Sequence, residues 1–148
     1  MAMHTWFECK IRYEKTMENG MIQKVTESYL VDALSFTEAE ARIIEEVTPF
    51  ITGEFMVSDI KRANYSELFV SDEEAADRWF KCRLFFITLD EKSGAEKKTA
   101  SFVLVQAADL RDAVGKLDEG MKGTMADYQI GAVTETAIVD VYPYGSTA

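Results

Sequence analysis

The side chains that most often carry catalysis or bind metals are scarce in this chain. It contains one histidine, His4, and two cysteines, Cys9 and Cys82. A histidine-based catalytic triad, a zinc site or a dithiol redox motif needs several such residues, often at short spacing. Neither GxxxxGK[ST] nor GxGxxG occurs, so no glycine-rich phosphate loop is predicted. We therefore expect no catalytic residue, no metal site and no cofactor, and we predict that the protein is not an enzyme.

The two cysteines stand at corresponding places in two similar stretches, "WFECKIRY" at 6–13 and "WFKCRLFF" at 79–86. Each alternates with large apolar residues, which places it on the buried face of a strand: Phe7 and Ile11 flank Cys9, and Phe80 and Leu84 flank Cys82. Buried cysteines behave as small apolar side chains. We expect two free buried thiols, and a Cys9–Cys82 bridge is the alternative.

The acidic residues number 26, so pairs of carboxylates are easy to assemble. Glu67 and Asp140 stand out because they occupy the same point of two predicted long strands. They are either polar-face residues paired with lysine or arginine, or a symmetric acidic pair. Such a pair could bind a cation, or each carboxylate could shift the pKa of the other. The sequence leaves their role open.

A basic and aromatic sheet face is the strongest candidate for binding. Strand alternation places these residues opposite the cysteine face: Trp6, Lys10, Arg12, Lys61, Tyr65, Trp79, Lys81 and Arg83. Such a face can stack bases and contact phosphates. The alternative is a solvated ladder of cross-strand charges with Glu8, Glu14, Glu27 and Asp59. We hypothesise that the eight residues form the contact surface for a partner.

The elements that must position these residues recur along the chain. Trp79 follows Trp6 by 73 positions, and Leu104 follows Leu30 by 74. Helix N-caps with an acidic residue three positions later recur in the same way, at Ser35 and Asp109. Apolar spacing predicts helices over 36–48 and 110–121, and each is followed by a long strand, over 57–69 and 130–142.

These matches predict an α+β fold of two tandem duplicated ββαβ units with pseudo-two-fold symmetry, a mainly antiparallel sheet and helices on one face. Residues 1–148 are predicted to form a single domain with repeats at 5–70 and 79–143. The acidic linker 71–78 between them is expected to contain a short capped helix. Within each repeat we expect the third strand beside the first, in local order 2-1-3. One shared sheet and two packed sheets both remain open.

The first hairpin contains a conflict. Asn19-Gly20 is the strongest signal for a two-residue turn, which would place Cys9 opposite Leu30 and put Tyr29 on the face of Lys10. A bulge or a longer loop would shift the register and turn Tyr29 to the cysteine face. The sequence leaves both geometries open.

Composition and charge limit the partners. The chain is 47% hydrophobic and 28% charged, as is usual for globular proteins. Its net charge of −10 should repel bulk nucleic acid and anionic membranes. No apolar run is long enough to span a membrane, and the first residues lack the features of a signal peptide. We expect a cytoplasmic protein.

The stretches "TWFECKIRYEKTMENGMIQKVTESYLVDALSFTEAEARI" and "DIKRANYSELF" resemble a family of uncharacterised proteins of Bacteroides-type bacteria and their bacteriophages. The similarity covers most of the chain and gives no residue a role. It implies a cytoplasmic protein encoded by a phage or mobile element, and it favours an inhibitor, a regulator or a ligand-sequestering protein.

We therefore predict a small non-enzymatic interaction or regulatory module, such as a phage-associated inhibitor. The alternative is nucleotide or nucleic-acid binding through the aromatic and basic face. The expected partner is an unidentified protein or a small anionic ligand, and a homodimer is a further option.

Overall fold

The computed structural model describes residues 5–143, which form an α+β fold with two mainly antiparallel four-stranded sheets and two helices. The elements in chain order are β1 (Trp6–Thr16), β2 (Ile22–Asp32), α1 (Phe36–Val47), β3 (Phe55–Ala63), β4 (Glu67–Phe69), β5 (Arg78–Leu89), β6 (Glu96–Ala107), α2 (Leu110–Gly120), β7 (Asp127–Glu135) and β8 (Ile138–Tyr142). Both helices begin where the apolar spacing predicted and end one residue earlier.

The described residues divide into two compact units, the first formed by 5–64 with 137–143 and the second by 65–136. The first sheet has the order β3-β1-β2-β8, and the second has the order β4-β6-β5-β7. In each sheet the strand after the helix pairs with the first strand of its own half, as the local order 2-1-3 predicted. The chain passes from the first unit to the second after Asn64 and returns after Thr136. The repeat bounds 5–70 and 79–143 remain a prediction.

The long strands predicted over 57–69 and 130–142 are each broken, so this prediction was wrong. After the break, β4 pairs in parallel with β6, and β8 pairs in parallel with β2. At the first break the backbone N–H of Ser66 donates to the carbonyl of Phe102 at 2.8 Å. An unpaired sheet edge is a template for association, and the two short strands cover edges that β2 and β6 would otherwise leave open.

Of the two geometries that the sequence left open for the first hairpin, the structure has the longer loop. Thr16 pairs with Ile22, and the residues between them form the loop. The side-chain oxygen of Asn19 accepts the backbone N–H of Met21 at 3.0 Å, and Gly20 has a φ of 82°, so Asn-Gly closes a wider turn. The register consequently places Tyr29 opposite Cys9, on the helix side of the sheet.

Both helices begin at an N-cap that satisfies free backbone N–H groups. Ser35 Oγ accepts the N–H of Glu38 at 3.1 Å, and Asp109 accepts the N–H of Asp112 at 2.8 Å. In return, Glu38 accepts the backbone N–H of Leu34 at 3.2 Å, and Asp112 accepts that of Ala108 at 2.9 Å. These reciprocal bonds fix the first helical turns at the predicted positions.

No helix forms in the linker 71–78, where the sequence predicted one. The backbone N–H of Ser71 donates to the side chain of Gln106 at 3.0 Å. The carboxylate of Glu73 lies 2.9 Å from Lys116 Nζ of α2. These contacts hold the segment against the second sheet and its helix, and a single turn, in which the N–H of Ala76 donates to the carbonyl of Glu73 at 3.0 Å, stands where a helix was predicted.

Each helix packs on one face of the sheet in its own unit. The buried residues of this helical stripe are Ala39, Ile43 and Val47 in the first unit, and Ala113, Leu117 and Met121 in the second. Cys9 and Cys82 lie in these two cores as free, fully buried thiols, as the alternation predicted. Burial, with the carboxylates of Glu8 and Asp59, raises the pKa of Cys9 to about 12, and burial raises that of Cys82 to about 11.

Candidate functional site

The eight residues of the predicted contact surface divide equally between the two units. The first sheet carries four of them on its face away from α1: Trp6, Lys10 and Arg12 of β1 and Lys61 of β3. The second unit carries Tyr65, which precedes β4 outside the strands, and Trp79, Lys81 and Arg83 on the face of β5 away from α2. Strand alternation therefore assigned the seven strand residues to the correct faces.

The two tryptophans of this set are buried. Trp6 is 5% exposed and Trp79 is 4% exposed. The carbonyl of Trp79 accepts hydrogen bonds from the backbone N–H and the hydroxyl of Thr136, both at 2.9 Å. The indole rings thus add little area to any exposed surface, and the accessible members of the set are the cations and, in part, Tyr65.

The cations of the first sheet lie among acidic residues. Lys61 Nζ is 3.9 Å from the carboxylate of Glu8. Lys10 lies opposite Asp59 across the β1–β3 pair. This geometry matches the cross-strand charge ladder that the sequence left as the alternative interpretation.

The cations of the second sheet lie over aromatic rings instead. Lys81 Nζ is 4.6 Å from the ring centroid of Phe102, and the guanidinium carbon of Arg83 is 4.8 Å from that of Phe85. Both basic side chains are exposed, and neither forms an ion pair with a carboxylate within residues 5–143. A cation–π contact at an exposed site contributes about 0.5–1 kcal/mol and leaves the charge uncompensated. We name Lys81, Arg83, Phe85 and Phe102 the β5 patch.

Gly131 shapes the β5 patch from the neighbouring strand. It is the extra residue of a bulge in β7, where the register with β5 shifts between Arg83 and Leu84. A Cβ atom at Gly131 would lie 2.5 Å from Cε2 of Phe85, so the ring lies directly against the β7 backbone. The missing side chain therefore gives room to the ring that lies beneath Arg83.

Phe102 and Gly131 were missed by reasoning from the sequence. Phe102 begins an apolar run, 102–105, in which alternation does not separate the two faces, and its pairing with Arg83 settles the assignment. Gly131 did carry a signal, because an isolated glycine within a strand pattern indicates a bulge or a close approach of another group.

A tyrosine cluster on the helix side of the first sheet was also missed. Glu27 Oε1 accepts hydrogen bonds from the hydroxyls of Tyr13 and Tyr29, each at 3.0 Å, and Tyr29 stacks on Tyr142 with ring centroids 6.0 Å apart. Burial and Glu27 raise the pKa of Tyr29 well above its usual value, and burial raises that of Tyr142 to about 12. The hydroxyls are therefore protonated donors at neutral pH, a role that stabilises the sheet rather than removing protons from a substrate.

An open groove of about 700 Å³ lies at the hairpin end of the first sheet. Arg12 and Lys24 line it together with Glu14 and Glu54. The two signs of charge are balanced, so the groove favours neither an anionic nor a cationic ligand.

Glu67 and Asp140 lie in different units. Glu67 is paired with Val103 in the second sheet, whereas Asp140 is paired with Tyr29 in the first. Among the described residues, no three His, Cys, Asp or Glu side chains form a group that could hold a metal ion. No role is assigned to these two carboxylates.

Comparison with known proteins places this architecture in a family. Residues 5–144 match the family model described as "Domain of unknown function (DUF4494)". No curated protein and no solved structure matches the chain. Neither of the described helices is long and apolar enough to cross a membrane.

Proposed function

Since the chain belongs to DUF4494, a family of domains of unknown function, we propose a function from the geometry of its second sheet. The protein is a small non-enzymatic binding and regulatory module, and the β5 patch is its main contact surface. The observation that carries this proposal is the pair of exposed cations, Lys81 and Arg83. Each lies over a ring, and neither is compensated by a carboxylate within the described residues.

The two cations are set in a chain with 26 acidic and 16 basic residues. An anionic group of a partner can pair with Lys81 and Arg83 without displacing a carboxylate of the protein. An anion that approaches Lys61 must instead compete with Glu8, which already lies 3.9 Å away. The second sheet is therefore the better place to bind an anionic partner.

The partner in this proposal is an unidentified protein or a small anionic ligand, and a homodimer is one form of such a contact. Of the eight residues predicted from the sequence, the patch keeps Lys81 and Arg83 as its binding residues. The resemblance to proteins of Bacteroides-type bacteria and bacteriophages supports a cytoplasmic setting. In that setting a module of this size would inhibit or regulate a host or phage component.

We further propose that the two halves are tandem duplicated ββαβ units with pseudo-two-fold symmetry. Their common order of elements supports this, and so do two bulges, between Lys10 and Ile11 and between Arg83 and Leu84, which lie 73 positions apart. Under this proposal Lys81 corresponds to Glu8 and Ala132 to Asp59. The second copy would then lack the two acidic residues that lie beside Lys61 and Lys10 in the first copy.

Binding of a nucleotide or nucleic acid by the same patch is a second candidate. The specific observation in its favour is that two cations and two aromatic rings share one sheet face. Faces of this kind contact phosphates and stack bases in single-strand-binding proteins.

Site-specific photo-crosslinking tests the proposed surface. A photoreactive residue replaces Thr134, which is exposed and lies opposite Lys81, in the full chain expressed in its native host. The control places it at Thr26, which is also exposed and lies opposite Arg12 in the first sheet. We expect a cross-linked product at Thr134 that disappears in the Lys81→Glu/Arg83→Glu variant, and none at Thr26. Products that survive the charge reversal, or equal products at both positions, would contradict the proposal.

A further inference from the structure

We infer that the partner offers the β5 patch a short acidic segment of polypeptide, and that Lys81 and Arg83 bind the carboxylates of this segment. The inference rests on the proposed function and names the chemistry of its partner. It is carried by three features of the patch: what covers its rings, where its donors are free, and which charges surround it.

The rings of the patch are already engaged. Arg83 lies over Phe85, whose edge lies against the β7 backbone at Gly131, and Lys81 lies over Phe102. A nucleobase stacks on an open ring face. A base would have to displace these cations, lose their cation–π contacts and move the charges that should bind its phosphates. The rings therefore serve to hold the cations rather than to stack bases.

The cations retain their hydrogen-bond donors in this arrangement. A guanidinium group that lies over a ring keeps its N–H groups at its edge, where they match the two oxygens of a carboxylate. Lys81 and Arg83 are two residues apart on one strand, which separates their Cα atoms by about 6.6 Å. Acidic residues at alternate positions of an extended peptide have the same spacing and also project to one side. An acidic segment can thus present one carboxylate to each cation.

The surrounding charge favours a short anion over a long one. Nucleic acid carries a negative charge about every 3.4 Å along each strand, and a strand bound at the patch would continue across neighbouring acids. One of these acids is Asp127, which is exposed and lies opposite Ile87 on the same face of β5 and β7. In a chain of net charge −10 this repulsion grows with the length of the ligand. A peptide segment limits its negative charge to the residues that face the cations.

Fluorescence anisotropy with the full chain tests this inference. The probes are a labelled short peptide of alternating glutamate and serine, the same peptide with glutamine for glutamate, and a labelled oligothymidylate of equal length. The proteins are the native chain, the Lys81→Ala/Arg83→Ala variant and, as a control with the same loss of charge, the Lys10→Ala/Arg12→Ala variant. Circular dichroism shows that each variant is folded.

We expect saturable binding of the glutamate peptide, about tenfold or more weaker in the Lys81→Ala/Arg83→Ala variant and little changed in the control, because only the first variant removes the charge-assisted bonds to the carboxylates. We expect no such binding of the glutamine peptide or the oligothymidylate. Binding of the oligothymidylate that depends on Lys81 and Arg83 would overturn the inference and support the nucleic-acid candidate. Absence of glutamate-peptide binding would also overturn it, while patch-dependent cross-links at Thr134 would still uphold the proposed function.

Discussion

In the first sheet Lys61 lies 3.9 Å from Glu8, whereas in the second sheet Lys81, 73 positions after Glu8, lies over the ring of Phe102. Lys10 faces Asp59 across the β1–β3 pair, whereas Arg83 faces Ala132 across the β5–β7 pair. The strand order and the bulge positions are alike in the two sheets. The comparison teaches that a few side chains decide whether a sheet face neutralises its cations or displays them.

The acidic residues of the first sheet also affect the pKa of the thiol buried beneath its exposed face. Burial raises the pKa of both, but the carboxylates of Glu8 and Asp59 act in addition on Cys9. Burial and these carboxylates together raise the pKa of Cys9 to about 12, and burial raises that of Cys82 to about 11. The acidic residues of the first sheet thus influence its interior as well as its surface.

The largest effects should appear in the cores, where the two units are alike. Phe7 and Phe80 are each 1% exposed. We expect Phe7→Ala and Phe80→Ala to lower the free energy of unfolding by about 3–5 kcal/mol each, because each leaves a cavity among buried side chains. Urea denaturation measures both losses. A loss below about 1 kcal/mol for either variant would show that the two phenylalanines do not contribute alike to their cores.

Substitutions at the two bulges should lower the free energy of unfolding by smaller and unequal amounts. Gly131→Ala should cost about 1–2 kcal/mol, because the new Cβ would meet Phe85 at 2.5 Å. Ser58→Ala, at the corresponding bulge of the first sheet, should cost less than about 0.5 kcal/mol, since Ser58 is exposed. Thermal denaturation compares them, and the loss for Gly131→Ala should shrink in a Phe85→Ala background. An unchanged loss there would show that the ring does not limit this position.

The two buried thiols should differ in the pH at which they ionise. Because the unfolded thiol has a pKa near 9.0 and the folded values are raised, the stabilising contribution of the neutral thiols is complete below pH 9. It is lost as the pH rises, first toward the pKa of Cys82 at about 11 and then toward that of Cys9 at about 12. Alkylation followed by mass spectrometry should therefore label Cys82 at lower pH than Cys9. The reverse order would contradict the higher pKa of Cys9, which burial raises together with Glu8 and Asp59.

The exposed cations should give the smallest effects on stability. Lys61→Ala removes an exposed ion pair, and Lys81→Ala removes an exposed cation–π contact, so each should cost at most about 1 kcal/mol. The loss for Lys61→Ala should fall further in high salt, which screens the ion pair with Glu8. Urea denaturation at two salt concentrations measures both variants. A loss above about 2 kcal/mol for Lys81→Ala would make the patch a structural feature instead of a contact surface.

Much of the local structure was predictable from the sequence because it depends on neighbouring residues. The N-caps at Ser35 and Asp109 and the apolar spacing after them indicated both helices. Alternation around Cys9 and Cys82 indicated the buried faces of the first strands. The hairpin register was less predictable, since the Asn19-Gly20 signal does not reveal that the loop extends from Met17 to Met21.

Other features depend on parts of the chain that are far apart in sequence. Nothing local to Asn64 or Thr136 shows that a strand ends there and that the next segment pairs in another sheet. Alternation placed Trp6 and Trp79 on a face, but exposure depends on everything packed around that face, and both rings are buried. The β5 patch was predictable in part: Lys81, Arg83 and Phe85 follow from alternation along β5, whereas Phe102 follows from the pairing of β5 with β6.

Because each sheet takes a short strand from the far side of the chain break, the two sheets are completed in a fixed order during synthesis. The second unit is continuous, residues 65–136, whereas the first sheet needs residues 138–142 as its fourth strand. A ribosome makes the N-terminus first, yet the N-terminal sheet is the last to be completed. Until β8 emerges, the edge of β2 is uncovered on a nascent chain whose other sheet already has all its strands. Messages cut short before Ile138 would therefore yield chains with one open sheet edge, which chaperones and proteases can recognise.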